Sequence, residues 1–189
     1  MNMLNLENIS CRDDLIKIFK PTGNGIEIGV KEGVFSKHIL ENSNNLNLYL
    51  LDCWDNQPDL KYHDVSNVDN QTQVQFMKNT ISNVSKFFHN VKIIKGYSDE
   101  FVNFFEDNFF DFIYIDANHS YEAAKNDINK WFPKIKKGGL FAGHDYLDAV
   151  NSNGVFGVKS AVDEFALQNN LKVYSTKESH EYKSWFILK

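Results

Sequence analysis

FDFIYIDANHSYEAAKNDINKWFPKIKKGGLFAGHDY, Phe110–Tyr146, decides the fold. An apolar run ends at Asp116, a polar turn follows, and Tyr121–Phe132 carries apolar residues at helical spacing. Gly138-Gly139 breaks that pattern, and Gly139–Gly143 is apolar again. Strand, helix and strand of these lengths make a βαβ unit, whose two strands run parallel. Asp116, Asn118 and His119 therefore leave the end of one strand, and His144, Asp145 and Tyr146 the end of the other. Both sets arrive at the carboxyl edge of one sheet, where open α/β sheets bind ligands.

The pattern extends in both directions. Upstream, Gly25–Val30, Leu46–Leu51 and Val91–Ile94 read as buried strands, with helices over Val34–Glu41, Asn70–Phe88 and Asp99–Phe105. In the second of these helices Val74, Met77, Ile81, Val84 and Phe88 recur at helical spacing and form its expected buried face. The aromatic run Phe101, Phe104, Phe105, Phe109, Phe110 and Phe112 reads as core. Downstream come a helix over Val158–Gln168 and strands over Leu171–Ser175 and Ser184–Leu188. Only a polar turn separates those last two strands, so they must be antiparallel to each other. With no repeat and no Pro/Gly/Ser linker, residues 1–189 read as a single domain. Residues 1–22, with a short helix at Asp13–Phe19 stopped by Lys20-Pro21, form an N-terminal helical cap. Asp52–Asn70 is polar and aromatic, with Trp54, Pro58, Tyr62 and His63, and its length marks it as a functional loop.

Composition excludes several classes of function. A net charge of −5, with Lys and Arg scattered apart from a group at Lys134, Lys136 and Lys137 read as a solvated helix end, argues against nucleic acid as a partner. Cys11 and Cys53 have neither metal-site nor disulfide spacing and fit reduced thiols in a cytoplasmic setting. No apolar run approaches the ~20 residues of a membrane span, and the acid- and Asn-bearing N-terminus lacks an apolar signal core.

Three groups of residues can carry chemistry. Glu27-Ile28-Gly29-Val30-Lys31-Glu32-Gly33 spans a strand, its turn and the next helix; Gly29 permits the tight turn and Gly33 a close approach of helix to sheet. The middle glycine of a dinucleotide fingerprint is missing, which argues against a pyrophosphate on this turn. Asp52 ends the second strand, where a carboxylate can accept from both ribose hydroxyls of a nucleoside cofactor. Trp54 and Tyr97 are aromatic candidates for stacking on its base, or plain packing residues. Asp116, His119, His144 and Asp145 allow two readings: a divalent-metal site, or a general base in which His119 or His144 titrates near neutrality.

On these residues the chain resembles the class I S-adenosylmethionine-dependent methyltransferases, and most closely the subgroup called methyltransferase domain family 24, relatives of macrolide-sugar O-methyltransferases. D-F-I-Y-I-D-A-N-H-S-Y-E through G-G-L-F-A-G-H-D-Y, then G-V-K-S-A-V-D-E-F, carries most of the likeness, with E-I-G-V-K-E-G-V-F-S supporting it. The resemblance implies an α/β, Rossmann-like, doubly wound, seven-stranded and mostly parallel sheet with a C-terminal antiparallel hairpin strand. It implies S-adenosylmethionine as cofactor and S-adenosylhomocysteine as product. Glu27 and Gly29 would line the methionine end, Asp52 the ribose, Tyr97 and Ser98 the adenine, and Asp116 the methionine part and the reacting methyl, with Gly33 also among the cofactor-binding residues. Asp116, His144 and Asp145 would be the ligands of a divalent metal such as Mg, although metal-dependent relatives carry an acidic pair where this chain has His144-Asp145, and Asn118 replaces a second acid. The expected activity is O-methylation of a small hydroxylated acceptor or sugar, with Asp116, His119 and His144 catalytic and residues 52–70 at the acceptor. The expected partners are a small-molecule or glycan acceptor, with no nucleic acid and no membrane, and a homo-oligomer left open. The alternatives are a non-catalytic S-adenosylmethionine-binding subunit and a nucleotide-dependent oxidoreductase.

Overall fold

The computed structural model describes residues 6–57 and 63–189. Pro58 and Tyr62 of the long loop, and the first five residues of the cap, lie outside the described residues. The strands are β1 (Gly23–Ile28), β2 (Leu46–Asp52), β3 (Val91–Lys95), β4 (Phe110–Ile115), β5 (Ile135–Gly143), β6 (Asp148–Asn151), β7 (Gly154–Gly157), β8 (Tyr174–Ser175) and β9 (Trp185–Leu188). The α-helices are α1 (Arg12–Phe19), α2 (Val34–Asn42), α3 (Asn70–Asn83), α4 (Ser98–Phe101), α5 (Tyr121–Trp131) and α6 (Val158–Gln168).

Seven strands form one sheet in the order β3-β2-β1-β4-β5-β9-β8. The five from β1 to β5 are parallel, while β9 pairs antiparallel with both β5 and β8. The sheet is buried on both faces, which is why β4 reads as an unbroken apolar run. Side chains alternate along it: Phe112 and Tyr114 join a cluster with Leu15 and Ile16 of α1 and Ile39 of α2. Ile113 and Ile115 join the opposite cluster, with Ile128 and Trp131 of α5 and Val162 and Phe165 of α6. The chain leaves β1 towards β2 on one side and returns at β4 on the other, so a crevice opens at the carboxyl ends of β1 and β4. No helix among the described residues is long and apolar enough to cross a membrane.

Four expectations are corrected. The helix expected over Asn70–Phe88 ends at Asn83, and a 3₁₀ segment with a kink at Phe87 follows. Its inward face carries Gln73 and Thr80 beside Met77, with Val84 buried just past its end as expected, but Val74, Ile81 and Phe88 are exposed. The reason is hydrogen bonding: Thr80 Oγ1 donates to the Lys31 carbonyl and Gln73 Nε2 to the Ser66 carbonyl, so polar groups hold this helix over the β1 turn. Phe104 is 77% exposed and stacks on Phe101 outside the core, unlike Phe110 and Phe112. Lys136 and Lys137 lie at the start of β5 rather than at a helix end, with Lys136 paired to Asp111 at 2.7 Å. Finally, β6 and β7 form a separate hairpin where no structure was expected. Its two-residue turn is Ser152-Asn153, with Gly154 opening β7, and the weak strand character of Asp148-Ala149-Val150-Asn151 hid the hairpin.

Candidate active site

The ends of β1, β2 and β4 are tied together by backbone and carboxylate. Gly29 has φ +83°, and a Cβ there would lie 2.0 Å from the Asp116 carbonyl oxygen, so only glycine permits this approach. Gly33 has φ +72°, but the group that needs its missing side chain is Thr80 of α3, 2.9 Å from a built Cβ, rather than the sheet. Asp52 Oδ2 accepts from the amides of Val30 and Lys31 at 2.8 Å each, and Oδ1 accepts from Trp54 N at 2.7 Å. Asp52 thus holds the β1 turn as well as facing the cleft. Of a carboxylate's roughly four acceptor positions, these amides occupy three. Trp54 is buried and donates its indole N–H to the Lys31 carbonyl, so it is a packing residue beneath the turn. Tyr97 is partly exposed on the cleft wall, and Ser98 beside it donates its hydroxyl to Asp127.

Glu27 is 2% exposed and accepts a hydrogen bond from Ser36 Oγ. Burial, with Asp116 and Asp52 nearby, pushes its carboxyl up to about 8, so it is largely protonated at neutral pH. Arg12, from α1, reaches the same end of the cleft. Its guanidinium lies over the Phe35 ring at 4.6 Å and meets Asp116 Oδ2 at 3.4 Å. Charge alone did not distinguish Arg12 in the sequence, because its role depends on how the cap helix docks.

Asp116, His119, His144 and Asp145 do converge. His119 Nε2 lies 3.0 Å from Asp145 Oδ2 and 3.3 Å from Asp116 Oδ1. Its Nδ1 lies 2.7 Å from Asp64 Oδ2. Asp64 is brought there because residues 63–65 pair with the β6–β7 hairpin: Val155 N donates to the His63 carbonyl and Val65 N to the Asn153 carbonyl. Phe156 of the same hairpin stacks on the His119 ring at 5.2 Å. Nothing in the sequence revealed Asp64, since the hairpin that docks it was itself missed.

These carboxylates change the expected chemistry of the histidines. Hydrogen bonds to Asp116 and Asp64, and the charge of Asp145, outweigh desolvation and hold His119 protonated up to about 10. His144, with Nδ1 3.0 Å from Asp145 Oδ1, is likewise raised. Asp116 falls to about 2 despite its burial, because both imidazoles favour its charged form. His119 is therefore a clamp across three carboxylates rather than a group that titrates near neutrality, while His144 is raised from its ordinary value by Asp145 and Asp116. Asp116, His144 and Asp145 each offer a ligand atom, all within 4.8 Å of one another. Two carboxylates and an imidazole suit a borderline or hard divalent ion, so these residues fit a metal.

All of these groups face one cleft of about 750 Å³ that runs from Tyr97 and Asp127, past Asp52 and Gly29, to Asp116 and Asp145. Its far wall is formed by Asp64, Asn153, Phe156 and Tyr182.

Comparisons with known proteins agree with this fold. A family profile described as a methyltransferase domain matches residues 26–146. Among solved structures, a provisionally named caffeoyl-CoA O-methyltransferase from Staphylococcus aureus superposes with a TM-score of 0.66 at 18% identity, over 94% of this chain and 80% of that one. An O-methyltransferase from Bacillus cereus in complex with SAH gives 0.62 at 14% identity, over 94% and 78%. A precorrin-6y C5,15-methyltransferase from Geobacter metallireducens gives 0.61 at 14% identity, over 93% and 86%. No curated protein matches the sequence.

Proposed function

Because the chain belongs to this methyltransferase-domain family, of the class I S-adenosylmethionine-dependent kind, we propose that it O-methylates a small hydroxylated acceptor such as a sugar. The observation that carries this reading is the convergence of Asp116, His144 and Asp145 at the same carboxyl edge as the Gly29 turn and Asp52, within one cleft. The cofactor's ribose is assigned to the remaining acceptor position of Asp52, its base to the Tyr97 and Ser98 end, and its methionine end to Glu27, Gly29 and Asp116. The names of two neighbours, both O-methyltransferases, support oxygen as the target. Phe156, Tyr182 and Asn153 on the opposite wall offer the mixture of aromatic faces and amides that a sugar ring can use.

The sulfonium already activates the methyl, so the protein contributes mainly alignment and a sheltered pocket. The acceptor hydroxyl would lie against the carboxylates of Asp116 and Asp145, which take its hydrogen bond and point an oxygen lone pair at the methyl; as the C–O bond forms and the C–S bond breaks, S-adenosylhomocysteine leaves and the hydroxyl proton passes to one of these carboxylates. His119, anchored through Asp64, keeps both carboxylates in position by donating between them. Asp116, His144 and Asp145 would hold a divalent ion, which when bound would lower the pKa of a coordinated hydroxyl and so ease its ionisation.

The test is transfer of labelled methyl from S-adenosylmethionine to a panel of sugars, phenols and amines, with and without chelator. The proposal expects ether-linked methyl on an acceptor hydroxyl, and lower turnover in chelator that added divalent ion restores. Label appearing only on nitrogen acceptors would refute the O-directed reading.

A further inference from the structure

The end of the cleft farthest from Asp116 carries a buried carboxyl that methyl transfer does not use. Asp127, on the inner face of α5, is 4% exposed and lines the cleft. Ser98, at the start of α4, donates its hydroxyl to Asp127 Oδ1. Among the described residues no cation forms an ion pair with Asp127; Lys130 on its own helix is close enough to favour the charge, and Asp99 on α4 opposes it. A lone carboxylate in a wall built of Tyr97, Ser98 and Asn126 needs a reason.

The reason lies in what it does to Ser98. A hydroxyl has one proton and two lone pairs. With the proton committed to Asp127, Ser98 presents only lone pairs to the cleft and becomes a fixed acceptor. If the sulfonium lies at Asp116 and the ribose at Asp52, the base must lie at this end. The 6-amino group of adenine donates, whereas a 6-oxo group in the same place accepts. We propose that Asp127 is a positioning residue that locks Ser98 as an acceptor for the adenine amino group and so sets the base selectivity of the cofactor site. This rests on the S-adenosylmethionine reading given above.

Burial pushes the Asp127 carboxyl up to about 6. On acidification it gains a proton and can donate to Ser98, whose own hydrogen is then free to turn into the cleft. Selectivity for the amino group should fall with it.

The experiment compares the affinities of S-adenosylhomocysteine and its 6-oxo (hypoxanthine) analogue by calorimetry. The wild-type protein should prefer the adenine compound by about tenfold or more, because the 6-oxo oxygen would meet the lone pairs of Ser98 instead of a donor there. Asp127→Ala should lose most of that preference while still binding S-adenosylhomocysteine, and Ser98→Ala should do the same. Asp127→Asn, whose amide oxygen can accept from Ser98, should keep the preference but not its decline below about pH 6. A purely structural role would weaken both ligands equally, so an unchanged ratio in Asp127→Ala refutes the inference. If that variant does not fold, an unchanged ratio in Ser98→Ala refutes it instead. If the wild-type protein binds neither ligand, the cofactor reading fails and takes this inference with it.

Discussion

Replacing Glu27 by Gln should stabilise the protein, and increasingly so as pH rises. Glu27 is buried at the end of β1, accepts from Ser36, and has its carboxyl pushed from 4.5 to about 8. Between those values the unfolded chain has released a proton that the fold still holds. The unfolded state binds fewer protons, so stability falls as pH rises through this window and levels off above about 8. The slope is ~1.4 kcal/mol per pH unit, which amounts to about 3 kcal/mol by pH 7. Glutamine carries no charge and its carbonyl can still accept from Ser36, so the variant escapes that cost. For a chain of this size about 3 kcal/mol corresponds to a Tm difference of roughly 6–12 °C. Other groups titrate over the same range, so the quantity to measure is the difference in Tm between variant and wild type at matched pH, from about pH 5 to 8. The reasoning predicts a gap that widens steadily in favour of Glu27→Gln. A gap that is flat with pH, or that favours the wild type more at high pH, would show that Glu27 is ionised in the fold and that burial does not dominate it.

Two further outcomes follow from the same geometry. Gly29→Ala should be among the most damaging single changes, since its Cβ would sit 2.0 Å from the Asp116 carbonyl at a φ of +83°; a loss of several kcal/mol, more than the ~1–3 kcal/mol of a strained backbone position alone, should appear in chemical denaturation, and near-normal stability would mean that β1 and β4 do not close as described. Asp52→Asn should weaken S-adenosylhomocysteine binding by roughly 1.5–3 kcal/mol and also lower Tm, because its carboxylate holds the amides of Val30, Lys31 and Trp54; weakened binding with unchanged Tm would contradict the second of its two roles.

The parts of the fold legible in the sequence were those written by local periodicity. Phe110–Ile115, Tyr121–Trp131 and Val158–Gln168 are where the apolar pattern put them, because both faces of β4 and one face of each helix are filled by apolar side chains. The cluster at Asp116 and Asp145 was legible for a related reason: two parallel neighbours must end at the same edge. What was not legible depends on docking between distant segments. Asp64 reaches His119 only because residues 63–65 pair with the β6–β7 hairpin, and Arg12 reaches Asp116 only because the cap helix packs on α2. The protonation of His119 was not legible for the same reason, since the carboxylates that keep it protonated come from three separate parts of the chain. The underside of α3 was misread in part because hydrogen bonds from Gln73 and Thr80 join the apolar contacts of Met77 and Val84 in fastening it over the turn.

The central claim is that the cofactor lies along the carboxyl edge, from Ser98 past Asp52 to Asp116. A crystal structure of the protein with S-adenosylhomocysteine tests it most directly. The account predicts a ribose hydroxyl hydrogen-bonded to Asp52, the adenine beside Tyr97 and Ser98, and the sulfur facing Asp116 and the His144-Asp145 pair. A ligand bound outside this cleft, or one running in the opposite direction with its base beside Asp116, would contradict it.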